Sequence, residues 1–130
     1  MKMIRETSKG KLIVVIDDDP LVLEATGGLL RTWGCLVVAA TSYDVALRLL
    51  SELGRRPDLI VCDYRLAEGA TGIEAIESLR SAFEIPAFLI SGDPSSPAHE
   101  NHIGGYHLLH KPVNADKFRA ALVDASVLQR

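Results

Sequence analysis

Several features of membrane, secreted or nucleic-acid-binding proteins are missing from this 130-residue chain. No stretch approaches the roughly 20 apolar residues that span a bilayer, and residues 1–10 are polar, without the apolar core of a secretion signal. The net charge of −3 gives no reason to expect a basic surface for nucleic acid. We therefore expect a cytoplasmic protein with no direct membrane contact and no nucleic-acid partner.

Cysteine is equally scarce. Cys35 and Cys62 each stand alone among apolar residues, which is typical of buried free thiols in a reducing compartment rather than of a disulfide framework. The four histidines are accompanied by no paired cysteines of the kind that hold transition metals. Because 48% of the residues are hydrophobic, the chain can build a core without disulfides or metals.

The chain instead contains apolar, β-branched runs that alternate with amphipathic segments. The runs predict strands over residues 11–16, 35–40, 59–62, 85–90 and 106–110. Five alternations with short connections predict right-handed βαβ units and a doubly wound, parallel α/β sheet. We expect one domain over residues 11–130, preceded by a disordered lead-in or linker over residues 1–10.

The predicted helices have recognisable starts and apolar faces. Asp19 is expected to cap the first helix, with Pro20 at its first position. Thr41 or Ser42 is expected to cap the second helix. The predicted inward residues of the first helix are Val22, Ala25, Leu29 and Trp33. Those of the second helix are Val45, Ala46, Leu49, Leu50 and Leu53.

Polar residues follow four of the predicted strands where parallel strands end at a common edge. Residues 17–19 are all aspartate, Asp63 ends the third strand, and Ser91 and Lys111 follow the fourth and fifth. Clustered carboxylates need a cation, and oxygen ligands favour Mg²⁺. A hydroxyl and an ammonium group can hold the remaining oxygens of a phosphoryl group. The set predicts phosphoryl transfer onto a carboxylate, with Asp63 as the reactive residue.

These motifs, in this order over residues 11–128, resemble the receiver domain of bacterial two-component signalling. The resemblance implies a flavodoxin-like, five-stranded parallel sheet in the order 2-1-3-4-5 with five helices, of which the fourth is short or irregular. The amino-acid sequence of residues 63–66, 72–76 and 108–113 is most similar to that of the receivers of hybrid sensor histidine kinases. With the polar lead-in, this favours a piece of a hybrid kinase over a stand-alone receiver.

The resemblance also implies a site. Asp63 would be the phosphoacceptor, while Ser91 and Lys111 take up charge on the phosphoryl group. The metal would be Mg²⁺, with Mn²⁺ able to substitute. Its implied ligands are Asp17, Asp18, Asp63 and the backbone carbonyl of Arg65.

The implied partners are proteins. The donor would be a phosphohistidine on a histidine kinase or histidine phosphotransfer domain. Phosphorylation would switch the surface around the fourth helix, fifth strand and fifth helix toward a downstream target. The domain would catalyse its own phosphorylation and slow dephosphorylation without being an ordinary enzyme.

The chain departs from the family pattern at Leu108, where an aromatic switch residue is usual. We hypothesise that Arg65 and Asp93 pair across the mouth of the site and hinder hydrolysis. Two alternative functions stay open from the residues alone. One is a haloacid-dehalogenase-like phosphohydrolase, for which residues 17–19 supply a D-x-D start. The other is a receiver-like interaction module that is never phosphorylated.

Overall fold

The computed structural model describes residues 10–63, 72–82, 85–91, 106–110 and 114–128. Its strands are β1 (Leu12–Ile16), β2 (Leu36–Ala40), β3 (Leu59–Asp63), β4 (Ala87–Ser91) and β5 (Tyr106–His110). Its helices are α1 (Pro20–Thr32), α2 (Tyr43–Leu53), α3 (Gly72–Ala82) and α4 (Ala115–Asp124). The predicted short fourth helix lies outside the described residues, so α4 is the predicted fifth helix.

Only the last residue of the expected lead-in is described. The Gly10 N–H donates to the carbonyl of Gly34 at 3.3 Å, and residues 1–9 lie outside the described residues. None of the helices in the described part of the chain combines the length and apolar composition that a bilayer crossing needs.

The strands form one parallel sheet in the order β2-β1-β3-β4-β5, as the resemblance implied. All residues of β1 and β3 are buried, because helices cover both faces of a doubly wound sheet. The chain passes from β1 outward to β2 and then returns to the other side of β1 as β3. This reversal creates a topological switch point at the carboxyl ends of β1 and β3, where such sheets place their sites.

Side-chain alternation along the strands divides the core into two halves. Ile60 and Cys62 pack on the side of α2 and α3, whereas Leu59 and Val61 pack on the side of α1 and α4. Fully burying one such aliphatic side chain contributes about 1.5–3 kcal/mol. A ring contact joins α1 to α4, since Trp33 and Phe118 meet edge to face with centroids 5.9 Å apart.

The predicted inward face of α1 is wrong by about one residue, or roughly 100° around the helix axis. Its buried residues are Leu23, Gly27 and Leu30. Val22 is 38% exposed and Ala25 is exposed, while Leu29 and Trp33 are partly buried. The helix α1 contacts β2 at Gly27, because a Cβ at this position would lie 3.4 Å from Val37 Cγ1.

The inward face of α2 is largely as predicted. Ala46 and Leu50 are buried, and Val45 and Leu49 pack against the core. Leu53, predicted to point inward, is 53% exposed. The helix ends immediately after it, at Gly54 in the left-handed region with φ of 69°, so the last turn extends past the core.

The helix starts follow from local chemistry. Asp19 caps α1 by accepting from the Leu21 N–H at 2.9 Å, with Pro20 at the first helical position. Ser42, rather than Thr41, caps α2 by accepting from the Val45 N–H at 3.2 Å. Each cap satisfies a backbone donor that the helix itself leaves without a partner.

Candidate functional site

The switch point brings carboxylates from two neighbouring strands together. Ile16 pairs with Cys62 across the β1–β3 ladder, so the next residues, Asp17 and Asp63, lie side by side. Asp17 is 6% exposed and Asp63 is 9% exposed, whereas Asp18 is exposed. Each of the three residues has a carboxylate oxygen that lies within 4.8 Å of a carboxylate oxygen of both others. The three aspartates predicted as a cluster therefore meet in the fold.

The three consecutive aspartates take different positions because the chain turns from β1 into α1. The Asp17 N–H donates to the Ala40 carbonyl at 3.1 Å, which continues the β1–β2 ladder. Asp17 Oδ1 accepts from the Asp19 N–H at 2.9 Å, and Asp19 caps α1. Asp17 is thus held in the sheet, Asp19 belongs to the helix, and Asp18 between them faces solvent.

Cys62 lies next to the cluster without adding charge to it. Burial raises the pKa of its thiol, and the negative charges of Asp63 and Asp17 raise that pKa further. The thiol therefore stays protonated, and its Sγ donates to the Asp63 carbonyl at 3.4 Å. As predicted, its side chain belongs to the core, on the side of α2 and α3.

The donor set fits a hard divalent cation. Three carboxylates this close repel one another, which favours a bound positive charge. They supply only oxygen ligands, as Mg²⁺ prefers, and Mg²⁺ sites in proteins commonly combine one or two carboxylates with water and phosphate oxygens. Asp18 is exposed, so one of the three carboxylates is in contact with solvent.

The backbone brings one further predicted residue, Ser91, to the same edge. Asp63 pairs with Ile90 of β4, and Ser91 is the next residue. Ser91 in turn pairs with His110, the last residue of β5. Lys111 follows directly in the sequence.

Other predicted residues lie outside the described part of the chain. These are Arg65, Asp93 and Lys111, while Ser91 and Leu108 are described only by their backbone positions in β4 and β5. Their roles stay predictions.

One feature near the acidic turn was not predicted from the sequence. Leu21, in the first turn of α1, is 76% exposed. It follows the helix cap Asp19 by two residues and borders the acidic turn with an apolar side chain. Correct assignment of the inward face of α1 to Leu23, Gly27 and Leu30 would have placed Leu21 outside.

Comparison with known proteins gives a family match over most of the chain. A family model described as the response regulator receiver domain matches residues 13–123. The phyllosphere-induced regulator PhyR of Methylorubrum extorquens is 34% identical over 83 residues, which cover 63% of this chain and 31% of that protein. The transcriptional regulatory protein KdpE of Mycobacterium tuberculosis is 31% identical over 113 residues, covering 85% of this chain and 49% of that protein.

The fold has relatives of known structure as well. The solution structure of the PhyR receiver domain of Erythrobacter litoralis superposes with a TM-score of 0.78 at 23% identity, covering 90% of each chain. At this identity the likeness shows a shared fold. The chain spans less than half the length of the two curated relatives described above.

Proposed function

The chain belongs to the response regulator receiver domain family, and from this premise we propose that it is a phosphoacceptor in a two-component phosphorelay. Asp63 would take a phosphoryl group from a phosphohistidine. The observation that carries this proposal is the meeting of Asp17, Asp18 and Asp63 within 4.8 Å at the switch point of the sheet. We assign the domain to residues 11–130 and the lead-in to residues 1–10.

The transfer exchanges one bond to phosphorus for another. A carboxylate oxygen of Asp63 attacks the phosphorus atom while the phosphorus–nitrogen bond to the donor histidine breaks. The donor ring, protonated on its second nitrogen, leaves as neutral imidazole, and Asp63 becomes an acyl phosphate. Positioning and neutralisation of charge supply most of the catalysis in such transfers.

Residues around Asp63 would hold the charge that accumulates. Asp17 and Asp18, with Asp63 and the backbone carbonyl of Arg65, are the proposed ligands of Mg²⁺, for which Mn²⁺ can substitute. When bound, the cation offsets the negative charge of the carboxylates and phosphoryl oxygens. Ser91 and Lys111 are proposed to bind the remaining phosphoryl oxygens with a hydroxyl and an ammonium group.

The partners in this proposal are proteins of the cytoplasm. The donor is a histidine kinase or a histidine phosphotransfer domain. The output is a change in the surface formed by the predicted fourth helix, β5 and α4, which a downstream protein recognises. Water then hydrolyses the acyl phosphate, and we propose that Arg65 and Asp93 slow this step.

Stoichiometric labelling tests the proposal. The purified chain is incubated with acetyl phosphate and Mg²⁺, and intact mass reports the addition of one phosphoryl group. Wild type and Asp44→Asn should be labelled, because Asp44 is an exposed aspartate in the first turn of α2 and is not one of the three clustered carboxylates. Asp63→Asn should show no label.

Other results would favour the alternatives. Continuous turnover of a phosphate ester without stable labelling would indicate a phosphohydrolase. A wild-type chain that takes no label from acetyl phosphate, and no beryllofluoride, would instead indicate an interaction module that is never phosphorylated.

A further inference from the structure

The outer edge of β2 carries backbone groups that no described strand contacts. β2 is an end strand of the sheet. Its Leu36 N–H donates to Lys11 at 2.8 Å, and its Ala40 carbonyl accepts from Asp17 at 3.1 Å. Because backbone direction alternates along a strand, Val37 and Ala39 turn their N–H and C=O groups outward. No strand among the described residues pairs with them.

The composition of this edge does not protect it against pairing. Exposed edge strands usually carry a lysine, a proline or an inward-pointing charge that prevents association. The five residues of β2 are Leu-Val-Val-Ala-Ala, without charge or proline. The opposite end strand, β5, contains two histidines. An apolar, uncharged edge of this kind is expected to be covered in solution.

The edge forms the floor of a groove of about 630 Å³ between α1 and α2. Leu36 is 47% exposed and Leu53 is 53% exposed, so two large apolar side chains border it. Leu49 also lines the groove, while Arg31 and Glu52 supply charge at its rims. The groove therefore offers an apolar floor with polar margins, as protein interfaces do.

The α1 rim carries opposite charges at its two ends. A Cβ at Gly27 would lie 3.4 Å from Val37 Cγ1 and 3.3 Å from Arg31 Nη1. The stripe of α1 that contains Gly27 and Arg31 therefore faces β2. Glu24, three residues before Gly27, continues the stripe and is exposed. Glu24 and Arg31 are separated by seven residues, or about 10 Å along the helix. The rim is thus acidic toward the site and basic toward the far end of the sheet.

We propose that a second copy of this chain occupies the groove, with the two β2 strands paired antiparallel around a two-fold axis at Val38. This axis places Val37 of one copy opposite Ala39 of the other, so their outward N–H and C=O groups form about four hydrogen bonds. The two sheets become one continuous sheet.

The charges on α1 select this orientation. A two-fold axis perpendicular to the sheet keeps both α1 helices on one face and brings Glu24 of one copy toward Arg31 of the other, twice. A parallel arrangement would place like charges side by side and would not close. On the opposite face, Leu49 and Leu53 of α2 line the groove, so the same axis brings the exposed Leu53 of one copy toward α2 of the other. The surface is therefore complementary to itself.

Sedimentation of the full chain over a wide concentration range tests the pairing. The mass should rise from 14.1 kDa toward twice that value. Leu36→Lys should weaken dimerisation at least about tenfold, because it places a charge on the edge. Circular dichroism and labelling of Asp63 should be unchanged in this variant, which separates failure of this inference from failure of the phosphoacceptor function.

A charge exchange tests the orientation. Glu24→Arg and Arg31→Glu should each weaken the dimer about fivefold or more, and the double variant should recover most of the wild-type affinity. Contact within one chain cannot explain recovery, because the two positions are about 10 Å apart on one helix. A double variant no tighter than the single variants would overturn the proposed orientation.

Amide exchange identifies the occupant. The N–H groups of Val37 and Ala39 should be protected only at concentrations where the dimer is populated. A chain that stays monomeric at millimolar concentration would overturn the proposal. Protection of these amides in the monomer would overturn it too, because another segment of the same chain would then cover the edge.

Discussion

Asp17 and Asp63 are carboxylates that folding buries beside each other, with exposures of 6% and 9%. Like charges in a buried pair destabilise the folded state unless an opposite charge is supplied. The contribution of the cluster to stability should therefore depend on the cation present. At the residue scale, we therefore expect cation binding and stability to be coupled at this site.

Asp18→Asn should separate these two effects. The variant should bind Mg²⁺ at least about tenfold more weakly, since it removes one of the three clustered carboxylates. Without Mg²⁺ it should melt at a higher temperature than wild type, because one repelling charge is gone. Thermal unfolding over a Mg²⁺ titration measures both.

Asp44→Asn is the matched control, since it removes the same charge from an exposed aspartate outside the three clustered carboxylates. Its dependence on Mg²⁺ should equal that of wild type. If Asp18→Asn also keeps the wild-type Mg²⁺ dependence, the cation is not held at the cluster.

Asp58 stabilises the opposite end of the sheet. Its Oδ2 accepts from the Leu12 N–H at 2.8 Å, and its own N–H donates to the Leu12 carbonyl at 2.7 Å. Asp58→Ala should lower the free energy of unfolding by about 1–3 kcal/mol, because the Leu12 N–H loses its acceptor. Urea denaturation followed by circular dichroism measures the change. Asp58→Asn keeps an oxygen and should cost less; equal losses for both variants would exclude this hydrogen bond as the cause.

At the scale of helices and strands, the sequence predicted what local chemistry determines. Asp19 followed by Pro20 specifies a helix start without reference to the rest of the chain. The unbroken apolar composition of residues 59–62 specifies a strand buried on both faces. Convergence of the strand ends then follows, because parallel strands finish at one edge.

The inward face of α1 could not be predicted in the same way. Leu21, Val22 and Leu23 are three consecutive apolar residues, so they give no helical phase. The contact with β2 is made by Gly27, which has no side chain to contribute to a hydrophobic pattern. Packing of α1 against the sheet buries Leu23 and Leu30. This packing depends on the folded chain and not on the local sequence. The side-chain positions of the predicted Ser91 and Lys111 likewise stay predictions.

Truncation of two residues in α1 tests the corrected face. Leu30 is fully buried, whereas Val22 is 38% exposed. Leu30→Ala should lower the free energy of unfolding by about 2–5 kcal/mol, since it leaves a cavity. Val22→Ala should cost less than about 1 kcal/mol. Urea titrations of both variants measure the difference; equal costs would return α1 to the face predicted from sequence.

At the scale of the whole molecule, Asp18 precedes α1 and Leu21 lies in its first turn, and both side chains are exposed. We expect a protein donor that reaches the aspartates to contact the exposed apolar side chain of Leu21. A small donor such as acetyl phosphate needs no such contact. The two kinds of donor should therefore respond differently to a change at this residue.

Leu21→Ser should slow transfer from a phosphohistidine protein about tenfold, because it removes apolar contact area. The rate of labelling by acetyl phosphate should be unchanged. Rapid-quench measurement of Asp63 phosphorylation with each donor tests this. Leu53→Ser, measured at concentrations where the chain is monomeric, is the control, since Leu53 is also an exposed leucine and ends α2. An equal effect of both substitutions on the protein donor would argue against docking at α1.

The edge-to-face contact between Trp33 and Phe118 gives the protein a built-in optical probe. Trp33 is the only tryptophan in the sequence, so all indole emission comes from the end of α1 farthest from the aspartates. Thirteen helical residues, or about 20 Å, separate this fluorophore from the acidic turn. Quenching by a ligand bound at the aspartates is weak over that distance. A change in emission on phosphorylation would therefore measure movement of α1 against α4, and thus how far the signal travels.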